Sequence, residues 1–98
     1  VDLDALLTTA DLAAAMSVEG LAGTDAVFAA DLQALRPHPG QAVSAGVMRQ
    51  VLAGSPVVAG HRARGFTRVQ DAYSLRCAPQ VHGAARDTVS HARTVADR

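Results

Sequence analysis

Apolar residues recur at helical spacing along most of this chain and nowhere follow the alternation of a half-buried strand. In the opening stretch Leu3, Leu6, Leu7, Ala10 and Ala14 share one helical face, and Asp4, Thr8, Asp11 and Glu19 lie along the opposite one. Asp2 is placed to cap this helix. Gly20 and Gly23 are placed to end it, glycine being the usual residue just past a helix C-terminus. A shorter helix is expected after Asp25, an N-cap residue, with Phe28, Leu32 and Leu35 on its buried side. Pro37 and Pro39 stop it, so Arg36 to Gly40 reads as a turn. A third helix is predicted from about Gln41 to Ala53, with Val43, Val47 and Val51 in one row. Gly54, Ser55 and Pro56 end that helix and start another short one, with Ser55 at the N-cap and Pro56 at N1.

Between Gly60 and Val69 the periodicity fails and Arg, His and Gly cluster, which predicts a loop. Gln70 to Cys77 gives one or two helical turns. Ala78 and Pro79 then open a last helix, because proline at the first helical position loses no hydrogen bond. Val81, Ala85, Thr88, Ala92 and Val95 form its apolar stripe, and His82, Arg86, Arg93 and Asp97 its wetter side. The fold class is therefore all-α, about four to five helices joined by short turns, with no internal repeat.

Composition narrows this picture. With 98 residues the chain is one domain at most. Much of its hydrophobic share of 49% is alanine, and Phe28, Phe66 and Tyr73 are the whole aromatic set. Such a core is thin for a domain of this size, which favours a segment packed against something else. The chain starts at Val1 rather than Met, which either processing or excision from a longer chain would explain. Nine Arg, no Lys and nine acidic residues balance to zero. A nucleic-acid partner is not expected without a basic excess, and most of the arginines read as ordinary surface charge. The single cysteine, Cys77, has no partner for an internal disulfide and suggests a reducing, cytoplasmic setting. No apolar run approaches the ~20 residues of a membrane span, and no signal peptide is evident.

Candidate chemistry concentrates at Gln70, Tyr73 and Arg76. Their three-residue spacing puts an amide, a phenol and a guanidinium on one side of a helical turn. Arginine offers paired donors that match a carboxylate. From spacing alone, three polar residues on one face are more often a solvated surface. Cys77 and His82 fall short of the four ligands of a structural metal site and read as a buried thiol and a surface histidine. His38 and His91 have no evident partner. Glu19 is read as a cap or exposed-face residue.

The run Val69-Gln70-Asp71-Ala72-Tyr73-Ser74-Leu75-Arg76-Cys77-Ala78-Pro79-Gln80-Val81-His82-Gly83-Ala84 resembles a signature of histidine ammonia-lyases, within the aromatic amino-acid lyase family. Ala14 to Gly20, Gly23-Thr24 and Arg36 to Gln41 agree in order and spacing, so the resemblance covers residues 1–98 as a single helical segment. Ser74-Leu75-Arg76-Cys77, where phenylalanine ammonia-lyases typically carry Ala-Leu-Arg-Thr, tilts the substrate toward L-histidine. The resemblance implies that Arg76 pairs with the substrate carboxylate. It also implies that Tyr73 supports positioning and proton handling, and that Gln70 joins the same network. It further implies a mainly helical homotetramer with sites built from several subunits. The family's electrophile, a methylideneimidazolone, forms from an Ala-Ser-Gly that this segment lacks and that the family places upstream.

The expectation is thus one wall of a lyase site whose parent converts L-histidine to urocanate and ammonia, the segment alone being inactive. Arg76→Ala is expected to cost that parent far more activity than Arg86→Ala. The alternatives are a self-contained helical association module, or a lyase or aminomutase acting on tyrosine or phenylalanine.

Overall fold

The computed structural model describes residues 2–21, 23–64 and 71–98, the side chains of 61–64 excepted. The helices are α1 (Asp2–Gly20), α2 (Ala30–Ala34), α3 (Pro39–Leu52), α4 (Pro56–Arg64), α5 (Tyr73–Arg76) and α6 (Ala78–Ala96), with a 3₁₀ turn at Ala26–Phe28 before α2. No strand occurs among the described residues, in agreement with the all-α reading.

Local chemistry explains most of the helix ends. Gly54 takes a positive φ of 74° directly after α3, a backbone that favours glycine and closes the helix. Ser55 then accepts the Val58 N–H at 3.3 Å, the N-cap bond expected of it. Pro79 sits in the first turn of α6, where its missing N–H leaves nothing unpaired. The same logic corrects the reading of Pro39, which opens α3 instead of stopping its predecessor. Asp2 lies inside the first turn of α1, not at its cap. The hydroxyl of Thr24, not Asp25, accepts the Ala26 N–H. Helix α4 runs on to Arg64, so the first part of the expected loop is helical; 65–69 lie outside the described residues.

Helices α3 and α6 make the main pair, and α1 packs against both. Val18, Phe28, Met48, Leu52, Val58 and Leu75 meet in the core, joined by Ala15 and Ala78. Where α3 crosses α6 the backbones nearly touch: a Cβ on Gly40 would lie 2.2 Å from the Gly83 carbonyl oxygen. The free N–H of Gly40, in the first turn of α3, donates to Asp87 Oδ1 at 2.9 Å. A carboxylate there satisfies an unpaired donor and faces the positive end of the helix dipole. Asp87→Ala is therefore expected to lower stability by about 1 kcal/mol, and Asp87→Asn by less, since an amide oxygen can still accept. The urea midpoint of the 98-residue chain, followed by far-UV circular dichroism, checks both.

Which faces turn inward differs from the sequence reading. On α1 the buried residues are Asp11, Ala15 and Val18, while Leu3 and Leu6 are exposed. On α3 they are Gly40, Ser44, Ala45, Met48 and Leu52, whereas Val43 and Val51 are exposed. Leu32 and Leu35 also face outward, and Gln33 is buried in their place. The predicted apolar stripe of α6 is mostly outside, with Val81 and Val95 exposed, and its supposedly wet side carries the contacts. The accessible surface reflects this. It is 6289 Å² for a chain of 10.1 kDa, against about 5,300 Å² expected from the scaling for folded monomers.

Candidate functional site

Helix α5 is a single turn, and the way it is anchored determines what it presents. Leu75 points into the core and is buried, which turns Tyr73 outward, 66% exposed, and leaves Arg76 half-buried between the two. The Arg76 guanidinium carbon stands 5.5 Å from the centre of the Tyr73 ring, a cation–π arrangement. Arg76 Nε donates to the Asp71 backbone carbonyl at 3.3 Å. The structure therefore brings together two of the three residues singled out from the sequence. Gln70 lies outside the described residues.

Beside Arg76 runs a groove lined by Leu32, Gln33, Gln41, Cys77 and Gln80. Its amides are partly committed: Gln33 donates to the Val27 carbonyl at 2.8 Å, and Gln41 donates to Gln33 Oε1 at 2.7 Å. The groove thus combines a cation and a fixed amide pair with the apolar side chains of Val27 and Leu32. Cys77 is a free thiol, partly buried rather than buried.

A second constellation was not recognised from the sequence. Asp11 is fully buried, with His82 Nδ1 2.9 Å from one carboxylate oxygen and Arg86 Nη2 donating to the other at 2.5 Å. Arg86 Nε also donates to the buried Ser44 hydroxyl at 2.9 Å. This ties α1, α3 and α6 together, and Asp4 pairs with Arg93 further along the same contact. His82 and Arg86 are thus structural partners, not surface residues. Arg49, also read as surface charge, donates to the Phe28 carbonyl at 2.8 Å. A signal for the network was present: Asp4 and Asp11 are seven residues apart, as are Arg86 and Arg93, which matches two antiparallel helices in one register. Glu19 likewise has a defined role, accepting the Ser55 hydroxyl at 2.6 Å.

The family model for aromatic amino acid lyases matches residues 1–98, the full length of the chain. The chain belongs to the aromatic amino acid lyase family. It is 61% identical to a histidine ammonia-lyase of Streptomyces avermitilis over 97 residues, covering 99% of this chain and 19% of that protein. A histidine ammonia-lyase of Streptomyces griseus is 60% identical over the same shares. One from Anaeromyxobacter sp. is 52% identical, over 95% of this chain and 18% of that protein. This lyase segment therefore spans about a fifth of the length of the curated relatives it matches. No solved structure matches it. Among the described residues of the lyase segment, no helix is long and apolar enough to cross a membrane.

The electrophile that the resemblance implies finds no precursor in this lyase segment. Its serines are flanked as Met16-Ser17-Val18, Val43-Ser44-Ala45, Gly54-Ser55-Pro56, Tyr73-Ser74-Leu75 and Val89-Ser90-His91, none of them an Ala-Ser-Gly. Ser44 and Ser55 are also committed, to Arg86 and Glu19. Nothing in these 98 residues could cyclise to that group.

Proposed function

We propose that this segment forms one wall of the active site of a histidine ammonia-lyase, an enzyme that eliminates ammonia from L-histidine to give urocanate. The observation that carries the reading is the presentation of Arg76: its Nε is held by the Asp71 carbonyl and its guanidinium stands over the Tyr73 ring, beside an open groove. A guanidinium oriented in this way suits the carboxylate of an amino acid, which it meets with paired donors. Tyr73 adds a phenol beside the same guanidinium, and the family resemblance assigns Gln70 to the same hydrogen-bond network. Identity of 47–61% to histidine ammonia-lyases supports L-histidine over other aromatic amino acids. On this reading the exposed leucines and valines of α1 and α6 are covered by the rest of the enzyme, and the 98-residue chain alone has no turnover.

The test is a hybrid: the Streptomyces avermitilis enzyme with its matching 97 residues replaced by this segment. The hybrid is expected to form urocanate, followed by its ultraviolet absorbance, while the isolated chain forms none. Arg76→Ala in the hybrid is expected to lower kcat/KM roughly 30- to several-thousand-fold, equivalent to the ~2–5 kcal/mol lost when one member of a buried charge pair is removed. Arg98→Ala, outside the groove beside Arg76, should leave it unchanged. Arg86→Ala is not a neutral comparison, because Arg86 holds the buried Asp11. An inactive hybrid, or equal small losses from Arg76→Ala and Arg98→Ala, would sink the reading.

A further inference from the structure

We infer that Asp71 is a positioning residue, whose buried carboxylate fixes the carbonyl that aims Arg76; this rests on the reading of Arg76 given above. Asp71 is 8% exposed. Its Oδ2 accepts the backbone N–H of Thr24 at 2.8 Å, across 47 residues of sequence. The approach is tight. A Cβ on Gly23 would lie 2.9 Å from that same oxygen, so the 23–24 turn fits the carboxylate only because Gly23 has no side chain. From the other end of the same residue, the Asp71 carbonyl oxygen receives Arg76 Nε.

One residue thus joins the segment after α1 to the guanidinium by accepting two hydrogen bonds, one at its side chain and one at its main-chain carbonyl. Arg76 has several rotatable bonds, and a half-buried arginine samples many orientations unless a fixed acceptor selects one. The acceptor here is a main-chain carbonyl at the entry to a single-turn helix, a length too short to hold itself. Burial of Leu75 sets the radial position of that turn, and the Asp71–Thr24 bond sets where the chain enters it. A charged acceptor on a backbone N–H makes a stronger tether than a neutral one. Without it the Thr24 N–H is left unpaired, and the link from the 23–24 backbone to the carbonyl that orients Arg76 is lost.

Substrate kinetics of the hybrid enzyme test this. Asp71→Ala is expected to lower kcat/KM about tenfold or more, chiefly through KM, as loss of carboxylate alignment would. Asp71→Asn retains an acceptor oxygen and is expected to stay within about threefold. Gly23→Ala crowds the carboxylate and should reproduce the loss without touching Asp71. The deciding readout is the double-mutant cycle: with Arg76→Ala already present, Asp71→Ala or Gly23→Ala should add less than about twofold. Losses that multiply fully in the two backgrounds would mean that Asp71 acts on the fold in general, and would overturn the assignment. Activity unchanged in Asp71→Ala would do the same. If Asp71→Ala does not yield folded protein, Gly23→Ala and its cycle decide the question. A silent Arg76→Ala or an inactive hybrid would instead bring down the functional reading on which the assignment stands.

Discussion

Gly83→Ala is expected to destabilise the chain by about 3–5 kcal/mol, whereas the same substitution at Gly46 should stabilise it by roughly 0.5–1 kcal/mol. Both glycines lie inside long helices, and alanine is the better helix former at each, so propensity predicts the same sign for both. Packing reverses it at one of them. A Cβ on Gly83 would stand 2.3 Å from the Gln41 nitrogen and 2.4 Å from its Cα. These are backbone atoms, so no side-chain rotation relieves the clash, and α3 and α6 must part by about an ångström to restore contact distance. That displacement also breaks two bonds across the crossing, from the Gly40 N–H to Asp87 and from Arg86 Nε to Ser44, each worth about 1 kcal/mol. A Cβ on Gly46 meets only the end of the Arg49 side chain, at 3.7 Å. Thermal melting separates the cases: a drop on the order of 15 °C is expected for Gly83→Ala, and a small rise for Gly46→Ala. Equal melting temperatures would mean that the two helices do not cross at Gly83.

Asp11→Ala should cost about 3 kcal/mol or more, while replacing Asp11, His82 and Arg86 together by apolar residues of similar size should recover most of it. The asymmetry follows from desolvation. Asp11 is wholly buried, and the side chains of Arg86 and His82 keep only 16% and 24% of their exposure. Removing the carboxylate leaves a guanidinium in a site with little water and no counter-charge, the situation in which a broken buried pair is most destabilising. Removing all three charged or polar groups also removes their desolvation cost, so Asp11→Leu/His82→Leu/Arg86→Met is expected within about 1.5 kcal/mol of the parent sequence. The urea midpoint of each variant is the measurement. A triple substitution as damaging as Asp11→Ala would show that the network contributes geometry that apolar packing cannot replace. The exposed Asp4–Arg93 pair provides scale: both side chains are about half exposed, and its loss should change stability by less than about 1 kcal/mol.

Much of this protein is legible from local chemistry. Gly54, Ser55 and Pro79 mark helix ends whose backbone requirements are set within a few residues, and each falls where its side chain, or lack of one, predicts. The run from Val69 to Ala84 carries the family, because so long a sequence signature does not depend on knowing the fold. What only the tertiary structure decided is which way the helices face. Periodicity shows which residues share a side, and it assigned Leu3 and Leu6 of α1 and Val81 and Val95 of α6 to the interior on the assumption that a chain buries its apolar stripes against itself. Instead the two helices meet through Asp11, His82 and Arg86, and leave those stripes outside. Burial of a charge depends on a partner 71 to 75 residues away supplying the opposite one, and no local window contains both. The same holds at the candidate site. Arginine, tyrosine and their spacing are written in the sequence, but the tether from Asp71 to Thr24 exists only because folding brings the end of α1 beside α5, where a missing Cβ at Gly23 lets the carboxylate approach.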